Sequence, residues 1–141
     1  MSNASEPFAR EVLEIHQLIE DWFNGTLPKT ETALARFTSV MEPELSVVMP
    51  AGRVVDRGGL IARFFELHGW WEDSVPPGRI RIEGLRCEAR SADLAVATYE
   101  EWQHYRDVVR GRVATAILRV RAGAPNGLAW LRLHETWLPT E

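Results

Sequence analysis

The sequence predicts an α+β domain in which N-terminal helices pack in the concave face of a curved, mainly antiparallel sheet. Two observations predict this class. Apolar residues recur with helical spacing in the first half of the chain, whereas four long strand-like segments fill the second half. Because the connections between these segments are short, neighbouring strands must run antiparallel. The 141 residues show no internal repeat or boundary signal, so one domain is predicted over residues 1–141.

The first helix is predicted over residues 6–24, where apolar side chains recur at spacings of three and four. Ser5 suits the N-cap position, and Pro7 suits the first turn. Asn24 and Gly25 end the helix because both residue types favour the backbone conformation that follows a helix.

Two more helices and a small hairpin complete the first half. The second helix is predicted over residues 30–40, and Pro43 is expected to end it. Short apolar runs at residues 45–49 and 53–56, separated by a Pro-Ala-Gly turn, read as a hairpin. A third helix follows over about residues 60–68.

Four strands are predicted in the second half, at residues 79–90, 93–106, 109–122 and 128–138. The loop at residues 124–127, Ala-Pro-Asn-Gly, is a clear hairpin signal. Strands this long twist, so the sheet curves. Three helices are too few to cover both faces, and we expect them to fill the concave side and leave an opening at one end.

Composition and charge exclude several classes of function. The chain has 16 Lys and Arg against 20 Asp and Glu, a formal net charge of −4, which gives no basis for a nucleic-acid partner or an anionic membrane surface. No apolar run is long enough to span a membrane, and residues 1–5 read as a short lead without a secretion signal. The single cysteine, Cys87, fits a reducing compartment, so a cytoplasmic location is expected.

No metal site and no cofactor are predicted. His16, His68, His104 and His134 lie on separate predicted elements, without metal-ligand spacing and without a cysteine partner. No phosphate-binding loop, dinucleotide fingerprint or Ser-His-Asp spacing is present. Cys87 lies in an alternating run and reads as an inert, partly buried thiol.

Strand alternation also predicts an apolar outer face on the sheet. Monomers seldom expose such a surface, so a homodimer through that face is predicted. If the alternation is assigned the other way, the residues predicted on the inner and outer faces are exchanged. The residues assigned to the outer face are Val96, Thr98, Trp102, Val113, Ile117 and Trp130.

Two stretches and the order of elements carry a resemblance to a known family. The stretches are residues 52–58 (Gly-Arg-Val-Val-Asp-Arg-Gly) and residues 130–137 (Trp-Leu-Arg-Leu-His-Glu-Thr-Trp). The chain resembles the nuclear transport factor 2-like superfamily, with its cone-shaped cystatin-like fold. Within it, the chain looks most like SnoaL-like proteins and the association domain of calcium/calmodulin-dependent kinase II. Thr136 stands where the family's last strand often has a second His, so no role of that His is carried over.

The resemblance implies a fold more firmly than an activity. Ketosteroid isomerase, scytalone dehydratase, limonene epoxide hydrolase and SnoaL-type cyclases are enzymes of this superfamily, whereas other members are binding or assembly modules, and a shared fold does not prove shared chemistry. The family's strand parity would turn inward Tyr99, Glu101, Gln103, Arg112, Ala114, Ala116, Leu131, Leu133, Glu135 and Trp137.

Glu101 and Glu135 are the candidate catalytic residues. A carboxyl group in an apolar pocket has a raised pKa, and such a group can act as an acid or base near neutral pH. The alternative is that Arg112 pairs with one of them in a purely structural network. Asp56, after the hairpin, reads as a helix cap.

Ligand contacts are predicted from the same inward set, from helix one and from the end of helix three. His16 lies on the apolar face of helix one, and it is either a packed core residue or a donor that reaches the pocket. Trp70 and Trp71 fall near the expected mouth. The predicted ligand-binding residues are His16, Trp70, Tyr99, Arg112, Leu133 and Trp137.

These observations lead to two hypotheses. The first is a SnoaL-like homodimer that binds a small apolar or amphipathic metabolite, with cofactor-free acid/base isomerase, dehydratase, cyclase or hydrolase activity if it is an enzyme. The second is a non-catalytic ligand-binding or homo-oligomer assembly module. The interior distinguishes them: an enzyme needs an open cavity with an available, desolvated carboxylate, whereas a structural module has a filled cavity or fully paired polar groups.

Overall fold

A computed structural model describes residues 6–139, which form three helices and one six-stranded sheet. The predicted α+β class, with helices against one face of a mainly antiparallel sheet, is confirmed. In chain order the elements are α1 (Pro7–Phe23), α2 (Glu31–Thr38), β1 (Met41–Val48), β2 (Val54–Asp56), α3 (Arg57–Glu66), β3 (Arg79–Arg90), β4 (Leu94–Tyr105), β5 (Val108–Val120) and β6 (Leu128–Trp137).

The strand order of the sheet is β2-β1-β6-β5-β4-β3. Strands β3 to β6 form the predicted antiparallel meander, and the predicted hairpin of β1 and β2 extends the same sheet. β1 runs parallel to β6, and this pairing places β2 at one edge of the sheet. Helix α3 packs against β1, and α1 packs against both ends of the meander, at β3 and β6.

Helix α1 buries one side against the sheet because its apolar residues recur every three or four positions. Val12, Ile15 and Trp22 are at most 2% exposed. The N-cap is Glu6, and the prediction of Ser5, which lies outside the described residues, is wrong. Proline at the first helical position makes the residue just before it the cap.

Pro43 does not end the second helix as predicted. Helix α2 already ends at Thr38, and Pro43 lies inside strand β1. Proline is tolerated there because the register between β1 and β6 shifts between Met41 and Ser46, so the missing N–H falls where the ladder is interrupted.

Trp130 lies in the core, at 2% exposure, and its assignment to the outer face is wrong. The cause is a register shift in β6. Leu118 pairs with Trp130, whereas the preceding Ile117 pairs with Arg132. One extra residue, Leu131, is inserted, and an insertion of one residue reverses the side-chain alternation. Leu131, predicted to point inward, belongs neither to the described core nor to the cleft lining.

A buried glutamate ties α1 to the end of the sheet. Glu11 is fully buried, and its carboxylate accepts hydrogen bonds from Arg36 at 2.6 Å and 3.3 Å, from Asn126 at 3.0 Å and from Trp130 Nε1 at 2.9 Å. A buried charge is tolerated only when it is paired and hydrogen-bonded, as here. The network therefore fixes the position of α1 relative to the sheet.

We expect Glu11→Ala to lower the free energy of unfolding by about 3 kcal/mol, because the indole N–H of Trp130 is left in the core without an acceptor and Arg36 keeps only the exposed Glu14 as a partner. Urea unfolding followed by tryptophan fluorescence measures this change. Glu14→Ala is the matched control. Glu14 shares Arg36 and Asn126 with Glu11, but its side chain is 49% exposed, so its loss should cost under about 1 kcal/mol. Equal losses in the two variants would contradict the assigned role of Glu11.

Candidate functional site

A cleft of about 620 Å³ opens between the inner face of the sheet, helices α1 and α3, and the β1–β2 hairpin. Its lining is largely aliphatic and aromatic, with a few polar groups at its sheet side. All eight predicted catalytic and ligand-binding residues contribute to it: His16, Trp70, Tyr99, Glu101, Arg112, Leu133, Glu135 and Trp137. The structure brings these residues together, and their roles stay predictions.

A group of polar side chains in the cleft comes from one patch of the inner sheet face. Glu101 pairs across the strands with Arg112, which pairs in turn with Trp137. One step along the same face, Tyr99 and Glu135 flank Ala114, which is buried but does not line the cleft. Side chains two residues apart on a strand share a face, so the register alone places the carboxyl, guanidinium and phenol groups side by side.

Helix α1 supplies the partner of Glu101. His16 Nδ1 lies 2.7 Å from the carbonyl oxygen of Val12, and its Nε2 lies 3.1 Å from Glu101 Oε1. Gln103 donates a hydrogen bond of 2.6 Å to the other oxygen, Oε2. A carbonyl oxygen can only accept, so Nδ1 carries a proton, and a second proton on Nε2 is needed for donation to a carboxylate. The two contacts therefore favour an imidazolium–carboxylate pair.

The charges of this pair stabilise one another inside the protein. Burial disfavours the charged form of His16, but the charge and hydrogen bond of Glu101 outweigh burial and raise the pKa of His16. Burial likewise opposes ionisation of Glu101, and the charge and hydrogen bond of His16 outweigh it and lower the pKa of Glu101 to about 2. Both shifts therefore favour the charged form of the residue.

Glu135 has the opposite character. Burial raises its pKa, and the nearby Glu101 charge raises it further, while Arg112 opposes both; the resulting pKa is about 7. Arg112 Nη1 donates one hydrogen bond of 3.2 Å to Oε1. Among the described residues no other group donates to Glu135. This carboxyl group is buried, close to half-ionised at neutral pH, and has an oxygen available to a ligand.

Three buried polar atoms of cleft-lining residues lack hydrogen-bond partners within the described part of the chain. One is Nε1 of Trp70, and the two on the inner face of the sheet are the hydroxyl of Tyr99 and Nε of Arg112. Burial, together with the charges of Glu135 and Glu101, raises the pKa of Tyr99 well above its ordinary value, so its hydroxyl keeps its proton. Unsatisfied buried donors are uncommon in folded proteins, and here the two on the sheet are available to a polar atom of a ligand.

Trp70 and Trp71, which follow helix three, lie in different environments in the structure. Trp71 is fully buried in the core, whereas Trp70 is half-buried, lines the cleft and packs against Tyr105 with 4.8 Å between ring centroids. Asp56 is confirmed as a helix cap: its Oδ1 accepts a 2.8 Å hydrogen bond from the amide of Gly59. This cap explains why α3 begins near residue 57, earlier than predicted.

The cleft residues that the sequence did not identify as site residues include Arg53, Arg63, Arg110 and Trp130. Arg110 could have been found, because it lies two positions from Arg112 on the same strand. Trp130 was hidden by the inserted residue in β6. Arg53 in the hairpin turn and Arg63 on α3 carry no sequence signal, because only the packing of α3 on β1 brings them to the same opening.

Within residues 6–139, no group of three or more His, Cys, Asp and Glu side chains is arranged to hold a metal ion. None of the helices in this range is both long enough and apolar enough to cross a membrane.

Comparison with known sequences identifies a family. The family model described as sucrose-6-phosphate phosphohydrolase C-terminal matches residues 8–139. Sucrose-phosphatase 2 of Nicotiana tabacum is 23% identical over 131 residues, a region that covers 92% of this chain and 30% of that protein. The chain therefore spans less than a third of the length of this curated relative.

Solved structures confirm the resemblance to the nuclear transport factor 2-like superfamily. An NTF-2 like protein of unknown function, PA1314 from Pseudomonas aeruginosa, has a TM-score of 0.83 at 27% identity, covering 94% of this chain and 99% of that one. The CaMKII hub of S. rosetta has a TM-score of 0.65 at 15% identity, covering 92% and 95%. A candidate ketosteroid isomerase from Shewanella frigidimarina has a TM-score of 0.63 at 10% identity, covering 95% and 98%. The last two show the fold alone.

We expect Glu135→Gln to stabilise the protein increasingly as the pH rises. The pKa of Glu135 is raised on folding, so the carboxyl group costs stability once the pH exceeds its unfolded value, and the cost grows until the pH passes about 7. The advantage of the Gln variant should increase by about 2–3 kcal/mol between pH 5 and pH 8, measured by urea unfolding.

Glu66→Gln is the control, since Glu66 lines the same cleft but is exposed. Its effect should stay within about 0.5 kcal/mol at both pH values. An advantage of Glu135→Gln that is the same at pH 5 and pH 8 would show that Glu135 ionises as an ordinary glutamate.

Proposed function

The chain belongs to the sucrose-6-phosphate phosphohydrolase C-terminal family, and from that premise we propose that its cleft binds a small apolar or amphipathic molecule and performs cofactor-free acid/base chemistry on it. The single observation that carries this proposal is Glu135: a buried carboxyl group with a pKa of about 7 and one oxygen unused by the described residues, at the side of an open cleft. Such a group can take or give a proton at neutral pH.

Glu101 and Glu135 have different roles in this proposal. Both oxygens of Glu101 accept hydrogen bonds, from His16 and from Gln103, and its pKa of about 2 makes it a weak base, so Glu101 is the poorer proton acceptor of the two. Its fixed negative charge instead helps keep the pKa of Glu135 near neutral. Glu135 is the acid/base residue, and Glu101 is a positioning residue that acts through it.

Tyr99 and Arg112 supply donors for negative charge that develops on the substrate. The Tyr99 hydroxyl keeps its proton. Neither this hydroxyl nor Arg112 Nε has a hydrogen-bond partner among the described residues. Donors already oriented in a desolvated site stabilise an oxyanion without reorganisation. Isomerisation, dehydration, cyclisation and hydrolysis all use this combination of a proton acceptor and an oxyanion donor, and they form the proposed class of reaction.

The name of the tobacco relative refers to a phosphatase acting on a sucrose phosphate. That reaction belongs to a protein of which this chain spans 30%, and it is not carried over to the cleft. A cytoplasmic location and a single domain over residues 1–141 also stay predictions.

The small aromatic probe 5-nitrobenzisoxazole tests the proposed base, because it loses its C3 proton to a base while its N–O bond breaks to give a cyanophenolate. We expect a saturable rate that rises with pH through about 7, since only the ionised form of Glu135 accepts a proton. Glu135→Gln should lower this rate by about a hundredfold, because the base is lost while the shape of the cleft is kept.

Two exposed alanines provide matched controls for the location of this reaction. Ala62 lies on α3 at the cleft, and Ala35 lies on α2 away from it. Ala62→Trp should narrow the opening and reduce the rate, whereas Ala35→Trp should not change it. An unchanged rate in Glu135→Gln, or equal effects of the two tryptophans, would refute catalysis by Glu135 in the cleft.

The second candidate function, homo-oligomer assembly, is favoured by the apolar outer face of the sheet. Val113 is exposed there, and Val96, Trp102 and Ile117 are only half-buried. A homodimer through this face would cover them. The two functions are compatible, because the cleft and this face lie on opposite sides of the sheet.

Sedimentation equilibrium is expected to show a dimer that Val113→Glu weakens by about tenfold or more, since a carboxylate would be buried there without a partner. Val75→Glu is the control, because Val75 is also exposed but lies in the loop before β3. A monomeric natural chain, or a dimer that Val113→Glu leaves unchanged, would exclude this interface.

A further inference from the structure

We propose that the ligand of the cleft is a small organic anion, whose carboxylate or phosphate group is bound at the mouth by Arg53, Arg63 and Arg110. The proposal rests on the proposed function, because it names the class of molecule that the same cleft takes. It starts from three arginines that three separate elements bring to one opening.

These three arginines line the cleft from three different elements. Arg53 lies in the turn between β1 and β2, Arg63 lies on α3, and Arg110 lies near the start of β5. All three are exposed and all three line the cleft. Their positions in the sequence are unrelated, so their convergence is a property of the tertiary structure.

The guanidinium groups of these three arginines have no ion-pair or hydrogen-bond partner among the described residues. Most other described arginines have such a partner, and they are Arg10, Arg36, Arg57, Arg81, Arg86, Arg90, Arg106, Arg112, Arg119 and Arg121. A chain with a net charge of −4 thus leaves three positive charges uncompensated at one opening.

The carboxylates of the cleft do not neutralise this charge. Glu66 is the exposed carboxylate of the lining, and it lies beyond ion-pair distance of the three arginines. Deeper in the cleft, Glu101 pairs with His16, and Glu135 pairs with Arg112. An anionic group at the mouth would therefore face an excess of positive charge.

The orientation of Arg110 suits a bound anion. Its guanidinium lies 3.8 Å from the ring centroid of Trp137, and the guanidinium of Arg112 lies 4.7 Å from the same centroid. A guanidinium stacked on an indole keeps its N–H groups directed outward from its edge, where they can bind a carboxylate or phosphate with two hydrogen bonds. The apolar lining beyond would contact the body of the ligand.

Two fluorescent probes that share one aromatic body test the charge of the ligand. 8-Anilinonaphthalene-1-sulfonate carries an anionic group, and N-phenyl-1-naphthylamine is its neutral counterpart. The triple variant Arg53→Gln/Arg63→Gln/Arg110→Gln should weaken the sulfonate probe by about tenfold and leave the neutral probe within about twofold, because exposed charge contacts are individually modest but act together. Salt should likewise weaken the sulfonate probe alone.

Arg132→Gln is the matched control, because Arg132 is also exposed and has no ion-pair partner among the described residues, but does not line the cleft. It should change neither probe. Ala62→Trp, which narrows the opening, should weaken both probes and so locates them in the cleft.

The outcomes separate this inference from the function on which it rests. If both probes bind and respond to Ala62→Trp, but the sulfonate affinity survives in the triple variant, the anionic ligand is refuted and the cleft remains a ligand site. If neither probe responds to Ala62→Trp, the proposed function fails, and the inference fails with it.

Displacement of the sulfonate probe distinguishes the two anion chemistries. 1-Naphthyl phosphate and 1-naphthoate have the same ring system and differ in the anionic group. The tighter competitor identifies phosphate or carboxylate as the preferred group, and its advantage should disappear in the triple variant. Failure of both compounds to displace the probe would overturn the proposal.

Discussion

The hydrogen bond between His16 and Glu101 is the interaction on which the arrangement of the cleft depends. It joins helix α1 to the centre of strand β4 across 85 positions of sequence, and both side chains are buried. A buried charge is stable only beside an opposite charge, so neither residue can move away without exposing the other to an apolar interior. The pair therefore holds α1 at one distance from the sheet and leaves the space beside it open.

The same pair determines the chemistry of its neighbours. Burial, and after it the negative charge of Glu101, raise the pKa of the neighbouring carboxyl group, Glu135, even though Arg112 donates a hydrogen bond to it. Two glutamates on one face thus acquire opposite behaviour from their surroundings: one is a fixed charge, and the other is a group that exchanges its proton near neutral pH. The second is the kind of group that an acid/base site requires.

The register shift in β6 also affects how helix α1 is held against the sheet. The extra residue Leu131 in β6 turns Trp130 into the core, where its indole N–H binds Glu11 of helix α1. Helix α1 is consequently held by polar contacts at two heights, Glu11 and His16. Between these two contacts the helix and sheet pack through apolar side chains. The cleft opens beside His16.

The sequence by itself determined the α+β class and the helices and strands to within a few residues, because hydrophobic periodicity and strand alternation report local geometry directly. The strand parity that the family resemblance implied added most of the eight predicted residues that line the cleft. The sequence did not determine the side taken by Trp130, since one inserted residue reverses alternation without leaving a signal. Nor did it distinguish Glu101 from Glu135, or bring Arg53 and Arg63 to one opening. Those features depend on groups distant in sequence, and only tertiary packing decided which of them meet.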